Sequence, residues 1–308
     1  MSVDTAAASA EVIAAGSQSF AAAAKLLPAR QRDDARRLYA WCRWCDDVMD
    51  GQALGHGATA LTVDERRARL AELERATRSA LAGEPQSALP FQALQEVATR
   101  VELEPRWPLE HLAGFAADVE PQPFADLDAL LGYCWGVAGV VGVMMARVMG
   151  VAADDLDTLR RAQDLGLAFQ LTNIARDVGE DARNGRVYLP ASLLDGAPPT
   201  PAAVLDRANA APVVAATRAL VEAAEPYYAS AAAGLPRLRL SAAWGIAAAR
   251  AVYREIGREV ARRGERALAE RVVVGAARKR ALAASALSPA LASRLAWPAT
   301  RAALWSAV

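Results

Sequence analysis

The 308-residue chain is 54% hydrophobic and 23% charged, which is enough apolar material for one large core or two small ones. Its 35 basic and 35 acidic residues cancel, which argues against a nucleic-acid or other polyanionic partner. Three cysteines, Cys42, Cys45 and Cys134, cannot build a disulfide framework and suit a reducing, cytoplasmic setting.

The chain opens on MSVDTAAASAEV, with acidic residues where a secretory signal would be basic. The composition, rich in Ala, Leu and Arg with few Ile and Thr, favours helix over strand. Residues 37–51, RLYAWCRWCDDVMDG, read as a largely buried helix. Thr62 to Glu65 form a capping box that opens a helix stopping near Gly83. Asp126 or Asp128 opens a helix to Gly150. It contains LLGYCWGVAGVVGVMMA, residues 130–146, an uncharged run at the lower limit for a membrane span. Its four glycines and lack of a companion span favour a helix in the protein core. Asp154 or Asp155 caps a long helix ending near Asn184-Gly185. Pro198, Pro199 and Pro201 mark a loop, and Ser241 opens a helix closed near Gly264. No alternating strand pattern and no fixed repeat is present. The expected fold is all-α, a single domain over residues 1–308 with about ten helices, in which residues 278–308 are a basic tail whose order the pattern leaves open.

Two acidic clusters carry the chemistry. Asp46 and Asp50 are four residues apart and share a helix face, with Asp47 about 100° round from Asp46. Carboxylates among Leu38, Trp41, Cys42, Cys45, Val48 and Met49 are costly unless a cation or a proton neutralises them. The second cluster lies in LAFQLTNIARDVGEDARNGRVYLP, residues 167–190. There Asn173, Asp177 and Asp181 recur every fourth residue on one face, with Gln170 on the adjoining stripe and Arg176, Arg183 and Arg186 close by. Either cluster alone also fits a surface stripe of acids paired with arginines. Two of them, each embedded in apolar sequence, point to a shared metal site.

Magnesium takes oxygen ligands, commonly one or two carboxylates, several waters and substrate phosphate oxygens. Ions held between facing clusters would turn a diphosphate into a leaving group, and arginines would clamp its oxygens. Loss of diphosphate from an allylic carbon leaves a carbocation, so the rest of the cavity must be apolar and dry. The segment Tyr133 to Met145 offers such a lining. The GxxGxxG from Gly136 to Gly142 lies within a helical stretch with no preceding strand, so close helix packing explains it better than a dinucleotide loop. Cys42 and Cys45 form a CxxC without a second pair, which reads as two half-buried residues on one helix.

The segments YAWCR with DDVMD, YCWGVAGVVG and NIARDVGEDARNGRVYLP resemble the squalene/phytoene synthase family, in detail its bacterial phytoene synthases. GSQSFAAAAKLLP, AAEPYYASAAAGL and ARAVYREIG extend the resemblance over roughly residues 12–275. The resemblance implies an all-α class I isoprenoid synthase bundle around a central cavity. It implies head-to-head condensation of two geranylgeranyl diphosphates, through a cyclopropyl diphosphate, to phytoene in carotenoid biosynthesis. The alternative is a C30 enzyme that acts on farnesyl diphosphate and makes dehydrosqualene, squalene or hydroxysqualene. A catalytically dead scaffold is disfavoured because both Asp motifs are complete. By motif, Asp46, Asp50, Asn173, Asp177 and Asp181 resemble magnesium ligands, with Asp47 supporting and manganese as a substitute. Gly16, Ser17, Gln18, Ser19, Tyr39, Arg43, Gln170, Arg176 and Tyr253 resemble diphosphate or substrate contacts. Tyr133 falls in the cavity-lining segment and joins Asp46, Asp50, Asp177 and Asp181 as a candidate catalytic residue. Taken singly, Tyr39 and Tyr253 also read as core aromatics, Ser17 and Ser19 as helix caps, and Arg43 as an ion-pair partner of Asp46 or Asp47. Trp44 stands where a smaller or polar residue is common and is expected to pack outward. No NADPH use is implied, since no Rossmann unit is present.

After Glu270 no acidic residue occurs, while Arg271, Arg278, Lys279, Arg280, Arg294 and Arg301 accumulate beside Trp297 and Trp305. This asymmetry predicts peripheral contact with the inner face of a membrane, from which a lipid substrate is drawn and near which a downstream desaturase would work. A self-packed segment is the competing expectation, because Pro289 and Pro298 interrupt any long amphipathic helix.

Overall fold

The computed structural model describes residues 5–6, 9–10, 12, 24–52, 61–295 and 300–308. Among them are helices and connecting turns and no strand. Helix α1, Ala29–Asp50, starts after Pro28 and ends at Gly51, whose φ of 66° the left-handed turn requires. Helix α2, Val63–Leu81, opens on the expected capping box, with Thr62 and Glu65 satisfying each other's backbone N–H groups. Helices α3, Leu89–Val101, α4, Arg106–Gly114, and the single turn α5, Ala116–Val119, follow. Asp126, not Asp128, caps α6, Leu127–Cys134, by accepting from the Ala129 N–H at 2.9 Å.

The helix expected to run unbroken to Gly150 instead changes register. A π-turn at Trp135–Gly139 separates α6 from α7, Val140–Val148, and the Val140 N–H donates to the Trp135 carbonyl five residues back. The 127–148 stretch is long and apolar enough to cross a membrane by length and composition, and half of it is buried within the fold. Leu130, Val140, Val143 and Met144 are fully enclosed, as a core helix requires.

Asp155, rather than Asp154, caps α8, Leu156–Arg183, through the Thr158 N–H at 3.1 Å. The proline loop gives way to α9, Pro201–Leu205, and α10, Ala210–Gly234. Helix α11, Leu240–Arg263, begins one residue before Ser241, with no side-chain cap. Short helices α12, Glu265–Ala269, α13, Ala276–Ser285, and α14, Leu287–Ala292, complete the described residues. The pieces outnumber the expected helices because the π-turn and short breaks divide runs that periodicity alone joins.

Helix α8 is the axis of the bundle. It packs against α6, the π-turn, α7, α9, α10, α11 and α12. Glycines allow that closeness. A Cβ on Gly166 would sit 2.3 Å from the Ala138 carbonyl oxygen, and one on Gly142 would sit 2.4 Å from that of Ala162. On the other side α4 meets the π-turn, where a Cβ on Gly136 would lie 2.5 Å from the Gly114 Cα. The glycines of the GxxGxxG thus serve helix packing. Two hydrophobic clusters result. One is centred on α1, α3, α4 and α7, the other on α8, α10 and the end of α11, and Trp135 and Ile246 touch both.

The basic C-terminal segment is not a free tail. Arg271 pairs with Asp177, Arg278 with Glu255 and Arg301 with Asp164. Arg294 donates to the carbonyls of Leu235, Pro236 and Leu238. Four of the six basic residues after Glu270 thus have partners within the molecule, Arg271 and Arg278 in exposed pairs. Trp297 lies outside the described residues, and Trp305 packs on the second cluster.

Gly136→Ala should cost about 1–3 kcal/mol by overpacking against Gly114. Gly132→Ala, where nothing lies within 4 Å of the added carbon, should be neutral or stabilise by up to about 1 kcal/mol. Chemical denaturation of the two variants measures the contrast, and equal midpoints would remove the close contact from the account.

Candidate active site

The packing around α8 leaves a cavity of about 290 Å³. Helices α1, α7, α8 and α11, the π-turn and the end of α10 form its walls. Tyr39, Arg43, Asp46, Gln170, Asn173 and Tyr253 give it one polar end. Val137, Ala138, Val141, Met145, Met149, Leu165, Leu235 and Leu238 make the remainder apolar. The lining begins at Val137, so Tyr133 does not take part in it. The wide π-turn carries Tyr133 to the other side, where its hydroxyl donates to Asp118 Oδ2 at 3.1 Å.

Of the two acidic clusters only Asp46 and Asn173 reach the cavity wall; Asp50, Asp177 and Asp181 lie outside it, and arginines pair with Asp47, Asp50 and Asp177. Arg43 is ion-paired with Asp47 one turn along α1, the local pairing that the spacing allowed. Asp47 is buried and absent from the cavity wall, so Asp46 is the member of that helix turn that faces the cavity. Asp50 receives Arg186 NH2 at 2.8 Å, which ties the turn after α8 to the end of α1. Asp177 accepts from Arg176 Nε at 2.8 Å and from Arg271 Nε at 2.9 Å. Asn173 donates to Gln170 Oε1 at 3.4 Å, and its own Oδ1 is buried with no partner. Among the described residues no group of three acids, imidazoles or thiols converges as a preformed metal site.

The electrostatics mark where charge is missing. Burial pushes the Asp46 carboxyl up to about 7; Arg43 opposes the shift, and Asp50, Asp47 and Asp118 add to it. Burial does the same to Asp181, also up to about 7, with Asp177 adding and Arg186 opposing. Each carboxyl is a hard oxygen donor whose raised affinity for a proton comes from desolvation. Asp46 and the orphaned Asn173 oxygen face the same cavity, whereas Asp181 lies eight residues further along α8 and lines a small separate pocket with Val187 and Tyr188. Burial also raises the Tyr39 hydroxyl to about 12 and pushes up Tyr253, so both phenols stay protonated donors. The Tyr253 ring stacks on Phe169 at 4.1 Å. Gly16, Ser17, Gln18 and Ser19 lie outside the described residues. Trp44 is exposed and turned away from the cavity, as expected. Cys45 and Cys134 are buried and Cys42 lines the cavity; burial raises all three thiols, which leaves them unreactive.

Several residues of this region carry no repeat or motif of their own. Asp118 accepts hydrogen bonds from Tyr133 and, at 2.8 Å, from Tyr188, and the two rings stack at 5.3 Å. Arg186 lowers the Asp118 carboxyl, while burial dominates and raises it. The only sequence signal for Asp118 is an acid in GFAADVE, two residues before Glu120. Arg271 was legible as tail charge, not as a partner of Asp177. His111 lines the cavity between Trp41 and Phe115, and its Nδ1–H donates to the Gly136 carbonyl of the π-turn at 2.9 Å. Burial pushes its imidazole down to about 4.

The model of the family "Squalene/phytoene synthase" matches residues 13–278. The chain belongs to the squalene/phytoene synthase family. It is an enzyme of the prenyltransferase type. It is 48% identical to a 15-cis-phytoene synthase of Enterobacter agglomerans over 291 residues, 94% of this chain and 98% of that one. It is 50% identical to a 15-cis-phytoene synthase of Paracoccus sp. over 272 residues, 88% of this chain and 87% of that one. In structure it is similar to a dehydrosqualene synthase solved with a ligand. The TM-score is 0.79 at 26% identity, over 92% of this chain and 95% of the other. The all-helical isoprenoid synthase fold expected from the sequence is therefore the fold of this family member.

Asp46 and Asp181 bind protons more tightly in the folded than in the unfolded chain, so their contribution to metal-free stability falls as pH rises from about 4 to about 7. His111 acts oppositely: its contribution is complete above about 6.5 and is lost as pH falls towards about 4. The difference between Asp181→Asn and the parent chain isolates the carboxyl. It should grow in favour of the variant between pH 5 and pH 8, as read by chemical denaturation with a chelator present. A difference independent of pH would contradict the raised Asp181 carboxyl.

Proposed function

We propose that this enzyme is a phytoene synthase, joining two geranylgeranyl diphosphates head to head through a cyclopropyl diphosphate intermediate in carotenoid biosynthesis. The observation that carries the reading is the pair of acid-bearing helices at the polar end of one deep apolar cavity. Similarity to 15-cis-phytoene synthases over most of the chain supports the C20 substrate.

Asp46, Asp50, Asn173, Asp177 and Asp181 are the residues that would hold magnesium, or manganese in its place, with Asp47 in support through Arg43. The bound ions would supply the positive charge that makes diphosphate a leaving group. The chain's own groups do the rest. Arg43 and Arg176 stand next to the acids they neutralise and are placed to turn to phosphate oxygens. Tyr39, Gln170 and Tyr253 present donors to the polar end of the cavity. Val137, Val141, Met145 and Leu165 keep water from an allylic cation. Asp177 and Arg161 are sixteen residues apart on α8, about 24 Å at 1.5 Å per residue. An extended four-isoprene chain, roughly 20 Å from carbon–carbon bonds of about 1.5 Å, fits that depth.

Purified protein, magnesium and geranylgeranyl diphosphate should yield a C40 hydrocarbon on chromatography of the lipid extract. A C30 product from farnesyl diphosphate alone would assign the chain to the dehydrosqualene or squalene branch. NADPH should change neither rate nor product mass, and a product two hydrogens heavier would overturn that part. Asp46→Asn and Asp177→Asn should each lower turnover at least a hundredfold, about 2.7 kcal/mol of barrier, with helical content unchanged. Near-native turnover of either would show that its cluster does not hold the metal.

A further inference from the structure

The apolar end of the cavity has a defined floor. It is built where α7 ends, α8 begins and α10 passes into the Leu235–Arg237 turn. Thr158 and Arg161 line it beside Met149, Gly234 and Leu235. An arginine in a hydrocarbon cavity needs its charge met and its side chain fixed. Arg161 is 3% exposed, and Asp157 meets its charge at 2.8 Å and 3.2 Å. Its NH1 donates to the Ser230 carbonyl at 3.2 Å. A Cβ on Gly234 would lie 3.2 Å from the Arg161 side chain, so the stem is packed as well as paired.

Residues 300–308 are docked directly behind this floor. Asp164, fully buried, accepts two hydrogen bonds from Arg301, at 2.8 Å and 2.7 Å, and one from the Ser230 hydroxyl at 2.5 Å. Gln163 accepts from the backbone N–H groups of Ala307 and Val308 at 3.0 Å and 3.2 Å, and donates to the Trp305 carbonyl at 3.2 Å. Arg160 donates to the Val308 carbonyl at 2.8 Å. The same two turns of α8 thus face the cavity through Thr158 and Arg161 and hold the docked segment through Arg160, Gln163 and Asp164. Ser230 joins the two faces, with its hydroxyl on Asp164 and its carbonyl on Arg161.

We propose that residues 300–308 form a strap that braces the cavity floor through Arg301, Asp164, Ser230 and Arg161, and that this brace sets the preference for a C20 over a C15 chain. The inference rests on the proposed use of prenyl diphosphates. With the diphosphate at the acid clusters, a C20 chain of roughly 20 Å reaches the level of Arg161. A C15 chain ends about one isoprene unit short of it and leaves the floor untouched. Arg301, Asp164 and Ser230 are positioning residues, acting on the lipid only through Arg161.

The C15 chain is therefore an internal control. Binding of unreactive C20 and C15 thiolodiphosphates with magnesium, by titration calorimetry, should separate the two chains in Arg301→Gln and in Gln163→Ala. The C20 affinity should weaken about tenfold while the C15 affinity stays within about twofold. Product assays with the cleavable substrates should show the same fall in the C20-to-C15 ratio of kcat/KM. Gln163→Ala removes strap contacts without leaving a buried charge unpaired, so it decides the matter if Arg301→Gln does not fold. Equal weakening of both chains, or of neither, would overturn the brace; failure of both variants to fold would assign the strap to stability alone. Absence of hydrocarbon from the parent enzyme would instead count against the proposed reaction, and the analogue binding ratio would still judge the floor.

Discussion

A carboxylate is stable only where its charge is answered, and this constraint shapes the catalytic end of the molecule. Desolvation raises the Asp46 and Asp181 carboxyls to about 7, and the arginines near them, Arg43 and Arg186, offset this only in part. Their neighbours Asp47, Asp50 and Asp177 are instead answered by Arg43, Arg186, and Arg176 with Arg271. The arginines hold the clusters together without cancelling them. Two carboxyls raised by desolvation are thus left beside three acids that arginines already pair.

That arrangement works only if the chamber below it is dry, and dryness depends on how closely the helices pack. Gly136, Gly142 and Gly166 let α4, the π-turn, α7 and α8 approach at backbone distance, which seals the walls with main chain. The π-turn has a second consequence. By shifting the register between α6 and α7 it separates Tyr133 from the lining that starts at Val137. Tyr133 joins Asp118 and Tyr188 in a network beside Arg186 and Asp50, so the aromatic group supports the rim of the acid site. His111, kept neutral by burial, fastens the widened turn to α4.

The opposite end of the chamber uses the same electrostatic logic in another form. Arg161 and Asp164 are buried within one turn of each other on α8; Asp157 on the same helix and the Ser230 carbonyl satisfy Arg161, and Arg301 satisfies Asp164. Replacing hydration by such fixed partners makes a stiff structure, since a buried charge that loses its partner is strongly destabilising. The cavity is therefore bounded by charge networks at both ends and by apolar side chains between them.

The residues alone determined the helical class, the capping box at Thr62, the helix starts near Asp126 and Asp155 to within two residues, and the one-face spacing of Asn173, Asp177 and Asp181. These are short-range properties, set by propensity, by orphan backbone groups and by the 3.6-residue period. The period says which side chains share a face but not what that face meets. Tertiary structure decided that Asp46 faces the cavity while Asp47 is turned to Arg43, that Tyr133 leaves the lining, and that Asp118 joins the rim. It also decided that Arg271, Arg278, Arg294 and Arg301, which charge alone left between a lipid-facing and a self-packed segment, meet Asp177, Glu255, backbone carbonyls and Asp164. The Arg43–Asp47 pair is local and its spacing allowed it, but Arg186 on Asp50, Arg271 on Asp177 and Arg301 on Asp164 span 94 to 137 residues, and no local pattern encodes such pairings. Only the folded chain brings a buried acid and its arginine together.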